Sequence, residues 1–534
     1  MPRVTINGRA IDVPEGTNLV AAAESAGQEI PHYCYHPGLS VAGNCRMCLV
    51  EIKALSDKQP NPLPKLQIAC NTIVQDGMVI ESANERVEEA RRGVLEFLLI
   101  NHPIDCPICD QAGECKLQEY YMDYGSYRSR FALEEKVHKE KATPIGPGVM
   151  LDQERCILCT RCIRFLEEVT ETNELCVTER GDHSALTLAD GKSVDNAYST
   201  NIVDICPVGA LTSREFRFQA RVWYLEETPS ICPGCATGCN VDVHSREDTV
   251  FRLKPRANPD VNGFWMCDAG RRTFAPEGDK PRLEEHYTRT DDGFQPAPFD
   301  EVVARGAGRL AECGKVALVV SPRLSVEEAY LVSCIGERLS DCDRVLVGAA
   351  SSDIDDDGLL VSSDRFPNRA GVAAFGFRDE KGLADDIDGA LIVRADPAVD
   401  EGWGADLEKL RATVALDETM GTTLGYADAI VGVSAHFEAD GTAINRTGRL
   451  QACRAAVDPP GDARHGWRAL ATLLVELGGP RYTTIDEVFA AACEAMGLGA
   501  GLRRDALGTQ GLQLADARTA AATAEGPSET TASG

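Results

Sequence analysis

Residues 34–48 read CYHPGLSVAGNCRMC, and the next cysteine along the chain is Cys70. Four thiolates at this spacing, two of them in a C-x2-C pair, can bind the two irons of a [2Fe–2S] cluster. Four cysteines could also hold a structural zinc ion. The cluster is favoured because Gly43 and Asn44 turn the backbone toward the sulfurs, and because a hairpin opens the chain. The predicted ligands of this first group are Cys34, Cys45, Cys48 and Cys70.

The chain upstream of the first group predicts a β-hairpin followed by a helix. Two short apolar runs, 4–6 and 10–13, flank the dipeptide Asn7-Gly8, which is a strong hairpin signal. An alanine-rich stretch then predicts a helix that ends near Gly27. A β-grasp ferredoxin domain begins in this way, so we predict such a domain over residues 1–80.

A second group, HPIDCPICDQAGEC, occupies residues 102–115 and follows a predicted helix over 82–100. The apolar stripe of that helix consists of Val87, Val94, Leu95, Leu98 and Leu99. Three cysteines leave one iron of a [4Fe–4S] cluster without a ligand, and His102 is the nearest candidate. A single histidine is more often an ordinary surface or core residue, but the missing ligand favours coordination. A neutral imidazole should raise the potential of the cluster. The predicted ligands are His102, Cys106, Cys109 and Cys115.

A third group combines the run RCILCTRC, residues 155–162, with a distant Cys206-Pro207. A cysteine before proline is typical of ferredoxin [4Fe–4S] sites. Cys176 is the alternative fourth ligand, but it lacks the proline, and we interpret it as a free thiol. A zinc site is disfavoured by the spacing of the run. The predicted ligands are Cys156, Cys159, Cys162 and Cys206.

A fourth group has the pattern C-x2-C-x3-C-x27-C, and its predicted ligands are Cys232, Cys235, Cys239 and Cys267. Alone it could be a zinc knuckle, but after three iron–sulfur groups a third [4Fe–4S] cluster is the better hypothesis. Fifteen of the 21 cysteines and one histidine thus serve one [2Fe–2S] and three [4Fe–4S] clusters, with four ligands each. The others, predicted to be buried apolar residues, are Cys176, Cys313, Cys334, Cys342, Cys453 and Cys493.

The composition of the 534 residues excludes several other classes of function. With 83 acidic and 54 basic side chains, the net charge is −29. This balance argues against nucleic-acid binding and against a polybasic membrane anchor. No apolar run approaches the roughly 18 residues that span a bilayer, and the first residues do not resemble a signal peptide. We therefore expect a soluble protein that stays in the cytoplasm, where grouped cysteines bind metal rather than form disulfides.

From about residue 297 onward, apolar runs at 316–320, 345–348, 390–394, 412–416 and 429–433 alternate with helical stretches. This alternation predicts an α/β domain with a mostly parallel sheet. One helix is predicted to begin at Ser325, with Glu328 completing a capping box. The stretch GAGRLA matches a dinucleotide-binding pattern, but it lies within a helix and precedes a strand, so we reject it. No P-loop is present either, and we predict no NAD or flavin site in this chain.

The four groups, in this order, resemble the G subunit, an iron–sulfur subunit, of respiratory complex I, the proton-pumping NADH–quinone oxidoreductase. The strings that carry the resemblance are CYHPGLSVAGNCRMCLVEI, NHPIDCPICDQAGECKLQ, RCILCTRCIRF and CPVGALT. The resemblance implies that His102 is a true ligand and that Cys206 completes the third site. After residue 275, the strings FPNRAGVAAFGF and ADAIVGVSAHFEADGTAINRTGRLQ are more weakly similar to molybdopterin oxidoreductases. This half resembles a shortened scaffold without molybdopterin.

These expectations together give an α+β then α/β multidomain chain. Its predicted parts are a β-grasp [2Fe–2S] domain at 1–80, a [4Fe–4S] domain with one histidine ligand at 81–122, a ferredoxin-like [4Fe–4S] segment at 143–230, a Mo/W-oxidoreductase-type [4Fe–4S] domain at 231–275, a cofactor-free molybdopterin-oxidoreductase-like domain at 276–514 and a disordered tail at 515–534.

The resemblance also implies a function as an electron relay without bond chemistry of its own. Electrons would pass from a flavin- and NADH-binding partner through the first three clusters toward quinone-side iron–sulfur subunits, with the fourth cluster off this path. The chain would then lie on the cytoplasmic side of the bacterial inner membrane, held there only by its partners. The alternatives are an electron-transfer (diaphorase-side) subunit of a soluble NAD-linked hydrogenase or formate dehydrogenase, and a zinc scaffold without redox function.

Overall fold

The computed structural model describes residues 1–275, 280–348, 355–499 and 501–517. The chain divides into two units, Met1–Tyr224 and Leu225–Gly534. The first three cysteine groups fall in the first unit, and the fourth group falls in the second. The predicted tail at 515–534 lies outside the described residues except for its first three positions.

The first unit opens with the predicted hairpin and helix. Strands β1 (Arg3–Ile6) and β2 (Arg9–Asp12) pair antiparallel across Asn7 and Gly8, whose φ angles of 46° and 82° suit a tight hairpin turn. Helix α1 follows at Leu19–Ser25, and the Asn18 side chain caps it. Three further strands are β3 (Leu49–Ala54), β4 (Gln67–Ile68) and β5 (Met78–Glu81). The sheet order is β2-β1-β5-β3-β4, with β1 and β5 parallel, as in a β-grasp domain.

The predicted helix over 82–100 is present as α2 (Glu85–Leu99) and is followed by α3 (Lys116–Tyr124). Of the predicted apolar stripe, Val87 and Leu95 are buried, while Val94, Leu98 and Leu99 are half-buried. Arg91 is buried on the same helix, a position that an apolar pattern could not predict.

The remainder of the first unit consists of short elements around the third group. They are β6 (Thr143–Pro144), β7 (Val149–Leu151), α4 (Arg161–Glu168), β8 (Leu175–Thr178), β9 (Ala185–Leu188), α5 (Asn201–Asp204) and β10 (Leu211–Ser213). Two small sheets form, one in the order β10-β7-β6 and the other from β8 and β9. Helix α4 begins within the C-x2-C-x2-C run, and α5 ends two residues before Cys206.

The second unit begins with a three-stranded antiparallel sheet, β11 (Glu226–Ile231), β12 (Asn240–Arg246) and β13 (Thr249–Pro255). The first three cysteines of the fourth group lie in the loop between β11 and β12. Cys267 follows β13. This short sheet therefore brings the ends of the long 27-residue gap together.

An eight-stranded sheet forms the body of the second unit. Its strands are β14 (Tyr287–Thr290), β15 (Gly293–Pro296), β16 (Val316–Val320), β17 (Cys342–Leu346), β18 (Arg378–Asp379), β19 (Gly389–Val393), β20 (Ala412–Asp417) and β21 (Ala429–Gly432). The order is β15-β14-β21-β20-β19-β16-β17-β18, and the six strands from β21 to β18 are parallel. The predicted α/β domain is thus confirmed, although the run at 345–348 forms a strand at 342–346.

Helices cover the eight-stranded sheet, and a small sheet completes the unit. The helices are α6 (Phe299–Ala311), α7 (Val326–Gly336), α8 (Arg369–Ala373), α9 (Pro397–Asp400), α10 (Gly404–Leu407), α11 (Gly466–Glu476) and α12 (Ile485–Ala495); the small sheet is β22 (Gly441–Ile444), β23 (Arg449–Cys453) and β24 (Leu512–Gln513). The capping box at Ser325 and Glu328 is confirmed. GAGRLA lies within α6 and precedes β16, as predicted. In the described part of the chain, no helix has the length and apolar character needed to cross a bilayer.

Candidate metal centres

Contacts between their thiols connect the four cysteines of the first group. Hydrogen bonds between the thiols lower the pKa of Cys34 and of Cys48 and raise the pKa of Cys45 and of Cys70. Cys34 contacts Cys45 and Cys70, and Cys48 contacts Cys70, so a continuous chain of contacts joins all four sulfurs. Three of them are buried, and Cys45 is half-buried.

The backbone of this loop takes the turn that Gly43 was expected to provide. Gly43 has a φ of 61°, and Arg46, between the last two loop cysteines, also has a φ of 61°. A left-handed conformation at a residue with a side chain stores strain and is concentrated at functional sites. The third group has the same feature, since Leu158 and Thr160 have φ angles of 53° and 62°. Both loops are therefore bent around their cysteines.

The cysteines of the second group lie between α2 and the first turn of α3. Burial raises the pKa of Cys115 to about 11 and also raises that of Cys109. Both thiols lie within electrostatic range of Cys106. The Gly209 backbone packs so closely on Cys109 that a β-carbon at Gly209 would overlap its Sγ.

The surroundings of His102 fit a metal ligand. Its Nδ1 is buried and has no hydrogen-bond partner, which is a costly arrangement for a ring nitrogen. Burial lowers the pKa of His102 to about 4, so the imidazole is neutral, as a ligand must be. Arg155 and Asp105 lie within electrostatic range of both His102 and Cys109. The histidine therefore shares its surroundings with the second group.

The four predicted ligands of the third group line a single cavity of about 410 Å³, including the part that is open to solvent. Apolar side chains such as Val177 and Leu186 complete the wall. Burial raises the pKa of Cys156, Cys159 and Cys206 to about 11. Cys176 is not in the cavity wall; it lies on β8, with its Sγ 3.5 Å from Thr187 Oγ1. The structure thus groups Cys206, and not Cys176, with the three cysteines of the run.

The fourth group lines a second cavity of about 340 Å³, again including the part that is open to solvent. Gly234 and Gly270 form part of its wall, and their backbone amides donate hydrogen bonds to Cys232 Sγ at 3.4 Å and to Cys267 Sγ at 3.2 Å. A β-carbon at Gly270 would lie 3.1 Å from Cys232 Sγ and 3.3 Å from Cys267 Sγ. The two glycines therefore leave room beside the sulfurs that a side chain would fill.

The loops of the three groups in the first unit contact one another in an order that differs from their order along the chain. The third group touches the second, because Lys116 N donates to Pro207 O at 3.1 Å and Arg155 forms an ion pair with Asp105 at 2.8 Å. It also touches the first group, because Asn44 Nδ2 donates to Leu158 O at 3.2 Å. Cysteine spacing carries no signal for these contacts, so they could not be predicted from the sequence.

The cysteines outside the four groups divide into two sets. Cys313, Cys453 and Cys493 are buried, as predicted. Cys176, Cys334 and Cys342 are partly exposed, so their interpretation as buried apolar residues was wrong. Cys334 and Cys342 pack against the hydrophobic core of the second unit without being fully enclosed by it, and Cys176 lies on β8 of the small two-stranded sheet.

The donor sets fit iron–sulfur clusters. All fifteen grouped cysteines occur as free thiols. The cysteines of the third group and those of the fourth group each line a cavity. A bound cluster would give the buried His102 nitrogen a partner, and another would fill the space beside Gly270.

Family models match the chain in five segments. They describe a 2Fe-2S iron–sulfur cluster binding domain at 2–85, the iron–sulfur binding region of NADH-ubiquinone oxidoreductase-G at 91–130, the ferredoxin-like domain of NADH-quinone oxidoreductase subunit 3 at 146–212, the Fe4S4 domain of molybdopterin oxidoreductases at 225–275 and a molybdopterin oxidoreductase domain at 375–475. The chain is therefore an iron–sulfur protein with [2Fe–2S] and [4Fe–4S] binding domains, and the predicted fold class is confirmed. The residue boundaries predicted for the six segments stay a prediction.

The relatives of this chain agree with the resemblance in its cysteine strings. The G subunit of NADH-quinone oxidoreductase from Rickettsia bellii is 40% identical over 342 residues, covering 64% of this chain and 48% of the relative. Subunit 3 of the same enzyme from Thermus thermophilus is 38% identical over 368 residues, covering 64% and 46%. The mitochondrial 78 kDa subunit of NADH-ubiquinone oxidoreductase from Candida albicans is 43% identical over 304 residues, covering 56% and 41%. The predicted resemblance is thus confirmed: over 64% of its length, this chain is about 40% identical to G subunits of NADH-quinone oxidoreductase and to the corresponding subunit 3.

The chain spans about half the length of the curated relatives it matches. Among solved structures, it is similar to a chain in the crystal structure of the NAD+-reducing [NiFe]-hydrogenase in the H2-reduced state. That chain is 29% identical, and the match covers 41% of this chain and 91% of the other, with a TM-score of 0.36. A TM-score of this size is too low to relate the two folds.

Proposed function

We propose that this chain is the iron–sulfur electron-transfer subunit of an NADH:quinone oxidoreductase and relays electrons from a flavin subunit toward quinone. The observation that carries the proposal is the gathering of distant cysteines into buried sites, such as Cys206 with the run at 156–162, in a chain about 40% identical to the G subunits of its relatives. The chain would do no bond chemistry. It would belong to an enzyme through its partner subunits.

The proposed ligand sets are those predicted from spacing. They are Cys34, Cys45, Cys48 and Cys70 for one [2Fe–2S] cluster, and His102 with Cys106, Cys109 and Cys115, then Cys156, Cys159, Cys162 and Cys206, then Cys232, Cys235, Cys239 and Cys267 for three [4Fe–4S] clusters. When bound, such clusters accept and release single electrons. The chain's own contribution is to bury the ligands and to direct amides and charged groups toward them, which sets the potentials.

The proposal includes an α/β domain without a molybdopterin or nucleotide. In open α/β sheets, ligands bind at the carboxyl ends of the strands, where the strand order reverses. Here that place lies between β16 and β19, and Arg394 follows β19 directly. Arg394 forms ion pairs with Glu328, on the helix after β16, at 2.9 Å and with Glu418 at 3.3 Å. A buried ion pair that spans this crevice supports a scaffold role for the domain.

The partners in the proposal are a flavin- and NADH-binding subunit on one side and quinone-side iron–sulfur subunits on the other. Such a chain would lie at the cytoplasmic face of the bacterial inner membrane through these partners alone. Affinity purification of the tagged chain from its own cells tests this. We expect membrane subunits of a quinone-reducing complex to copurify, and recovery with a nickel hydrogenase in their place would contradict the assignment.

Iron analysis tests the ligand sets directly. We expect about fourteen irons per chain, from 2 + 4 + 4 + 4 on the proposed sets, and electron paramagnetic resonance signals of both cluster types after reduction with dithionite. The matched samples are single cysteine variants from each group, which should each lose the iron of one cluster only. A preparation with four zinc ions and no iron would exclude electron transfer.

A further inference from the structure

Two arginines on helix α4 lie between the first and third cysteine groups. Arg161 and Arg164 are three residues apart and therefore share one face of the helix. Arg164 is 8% exposed, and the Nε of Arg161 is buried without a partner. The helix begins inside the third group, so both side chains extend from one cysteine group toward the other.

The two guanidinium groups donate hydrogen bonds to the backbone of both groups. Arg164 Nη2 donates to Cys34 O at 2.5 Å and to Cys159 O at 3.5 Å, and Nη1 donates to Ser40 O. Arg161 Nη1 donates to Ile205 O at 3.1 Å, next to Cys206, and Nη2 donates to Tyr35 O. Each arginine thus connects a residue at or beside a first-group cysteine with one at or beside a third-group cysteine.

Among the described residues, the partners of both guanidinium groups are backbone carbonyls and the Thr160 hydroxyl, and neither group has a carboxylate within ion-pair distance. A buried charge without a counter-charge is costly, and neutral carbonyls compensate only part of that cost. The sulfurs of Cys159, Cys206 and Cys34 lie within electrostatic range of Arg161. This cation therefore lies close to candidate ligands of two different clusters.

We infer that Arg161 and Arg164 form a cationic bridge between the first and third clusters, in which they hold the two ligand loops together and favour the reduced form of each cluster. The inference rests on the proposed electron-transfer function. A cluster bound by four thiolates is anionic and gains one further negative charge when it accepts an electron. A fixed positive charge between two such clusters stabilises the reduced state of both and lessens the repulsion between them. Both arginines act through the ligand loops and are positioning residues.

The test compares charge-neutral and charge-conserving variants of the full chain in its iron-loaded form. Arg161→Gln and Arg164→Gln remove the charge, and Arg161→Lys and Arg164→Lys keep it without the planar fork. Arg214→Gln is the control, because Arg214 is an exposed arginine that also donates to a carbonyl, Gly146 O, at 3.3 Å. The readout is the midpoint potential of each cluster, from redox titrations followed by electron paramagnetic resonance.

For each Gln variant we expect the reduction equilibrium constants of the first and third clusters to fall about tenfold, which is about 59 mV for a one-electron couple. The second cluster should keep its midpoint potential in every variant. In the Lys variants, the first and third clusters should have the potentials of the unaltered chain, and Arg214→Gln should change the potential of no cluster. Unchanged potentials in iron-loaded Gln variants would overturn the inference. A shift of equal size in the potential of the second cluster, or in the Arg214→Gln control, would overturn it as well.

If a Gln variant fails to bind the first or third cluster, iron loading of the Lys variants is the deciding measurement. Normal iron loading with Lys supports a requirement for the charge, whereas loss of the same clusters with Lys contradicts it. An unaltered chain that binds zinc and no iron overturns the proposed function, and the bridge with it. Iron-loaded protein with unshifted potentials overturns the bridge alone, so the two failures are distinguishable.

Discussion

Gly209 lies in the segment after Cys206. We expect that adding one methyl group at this position prevents the second cluster from binding. A β-carbon there would overlap the Sγ of Cys109 and would lie 3.1 Å from Gln111 Cβ and 3.5 Å from Arg155 Cδ. The backbone φ of Gly209 is not in the left-handed region, so alanine adds no conformational strain. The effect of Gly209→Ala therefore comes from the close approach of the third-group loop to a second-group sulfur.

The size of the effect follows from what must move. A methyl group forced into a filled site costs about 1–3 kcal/mol of folding free energy. Arg155 is 4% exposed and is held by ion pairs to Asp105 and Asp152, so Cys109 has to give way. A displaced sulfur no longer meets its iron. We expect Gly209→Ala to lose about four of the fourteen irons expected per chain, together with about 1–3 kcal/mol of unfolding free energy.

Iron quantification, redox titration and urea unfolding followed by circular dichroism measure these losses. The matched control is Gly93→Ala, because nothing lies within 4 Å of a β-carbon at this position in α2. Alanine should even stabilise that helix, by about 1 kcal/mol. If Gly209→Ala keeps all its iron and the unaltered unfolding midpoint, then the second- and third-group loops are not in contact as described, and the reasoning fails.

Three further predictions concern single side chains. His102→Cys should keep the second cluster and lower its potential, because a thiolate adds negative charge where a neutral imidazole stood; an unchanged titration would mean that His102 is not a ligand. Cys235→Ala should reduce the yield of assembled complex and leave turnover per assembled complex nearly intact, because the fourth cluster stabilises its own fold. Cys159→Ala, by contrast, should abolish NADH-to-quinone turnover even where complex forms. A Cys235→Ala complex that assembles normally and cannot pass electrons would contradict this assignment of roles. Burial raises the pKa of Glu327 to about 7, above about 4.3 for an unfolded chain, so its contribution to stability is complete below about pH 4 and disappears as pH rises through about 7. In urea titrations at several pH values, Glu327→Gln should therefore gain stability relative to the unaltered chain as pH rises, and a constant difference would contradict the buried neutral carboxyl.

The features that could be predicted from the sequence are those whose causes are local. Asn7-Gly8 specifies its hairpin by turn chemistry, and Ser325 with Glu328 caps a helix within four residues. The parallel sheet follows from a repeated alternation of apolar strands and helices. Short cysteine spacings also act locally, because three thiols within seven residues must end near one another, as they do at 156–162.

The features that could not be predicted depend on contacts between distant segments. Arg91 is 1% exposed inside a helix whose apolar stripe was predicted without it, and its Nη2 lies 3.5 Å from Leu49 O, 42 residues away. Arg394 has a φ of 52°, its side chain is only 10% exposed, and it pairs with Glu328 and Glu418, which precede and follow it by tens of positions. A charged residue in a sequence indicates solvent exposure on average. Only the fold provides the partners that make its burial possible.

The same distinction separates the ligand sets from their arrangement. Each predicted set follows a short pattern, yet its neighbours are determined by single polar contacts between segments that lie 50 or more residues apart, such as Arg155 with Asp105 and Arg164 with Cys34 O. These contacts place the third group against both the first and the second, although the second stands between them in the chain. Rates of electron transfer depend on which clusters are adjacent, and potentials depend on the charges between them. A variant could therefore keep all sixteen proposed ligand residues and still be impaired in the proposed relay by changes at Arg161, Arg164 or Gly209, positions that no cysteine pattern marks as functional.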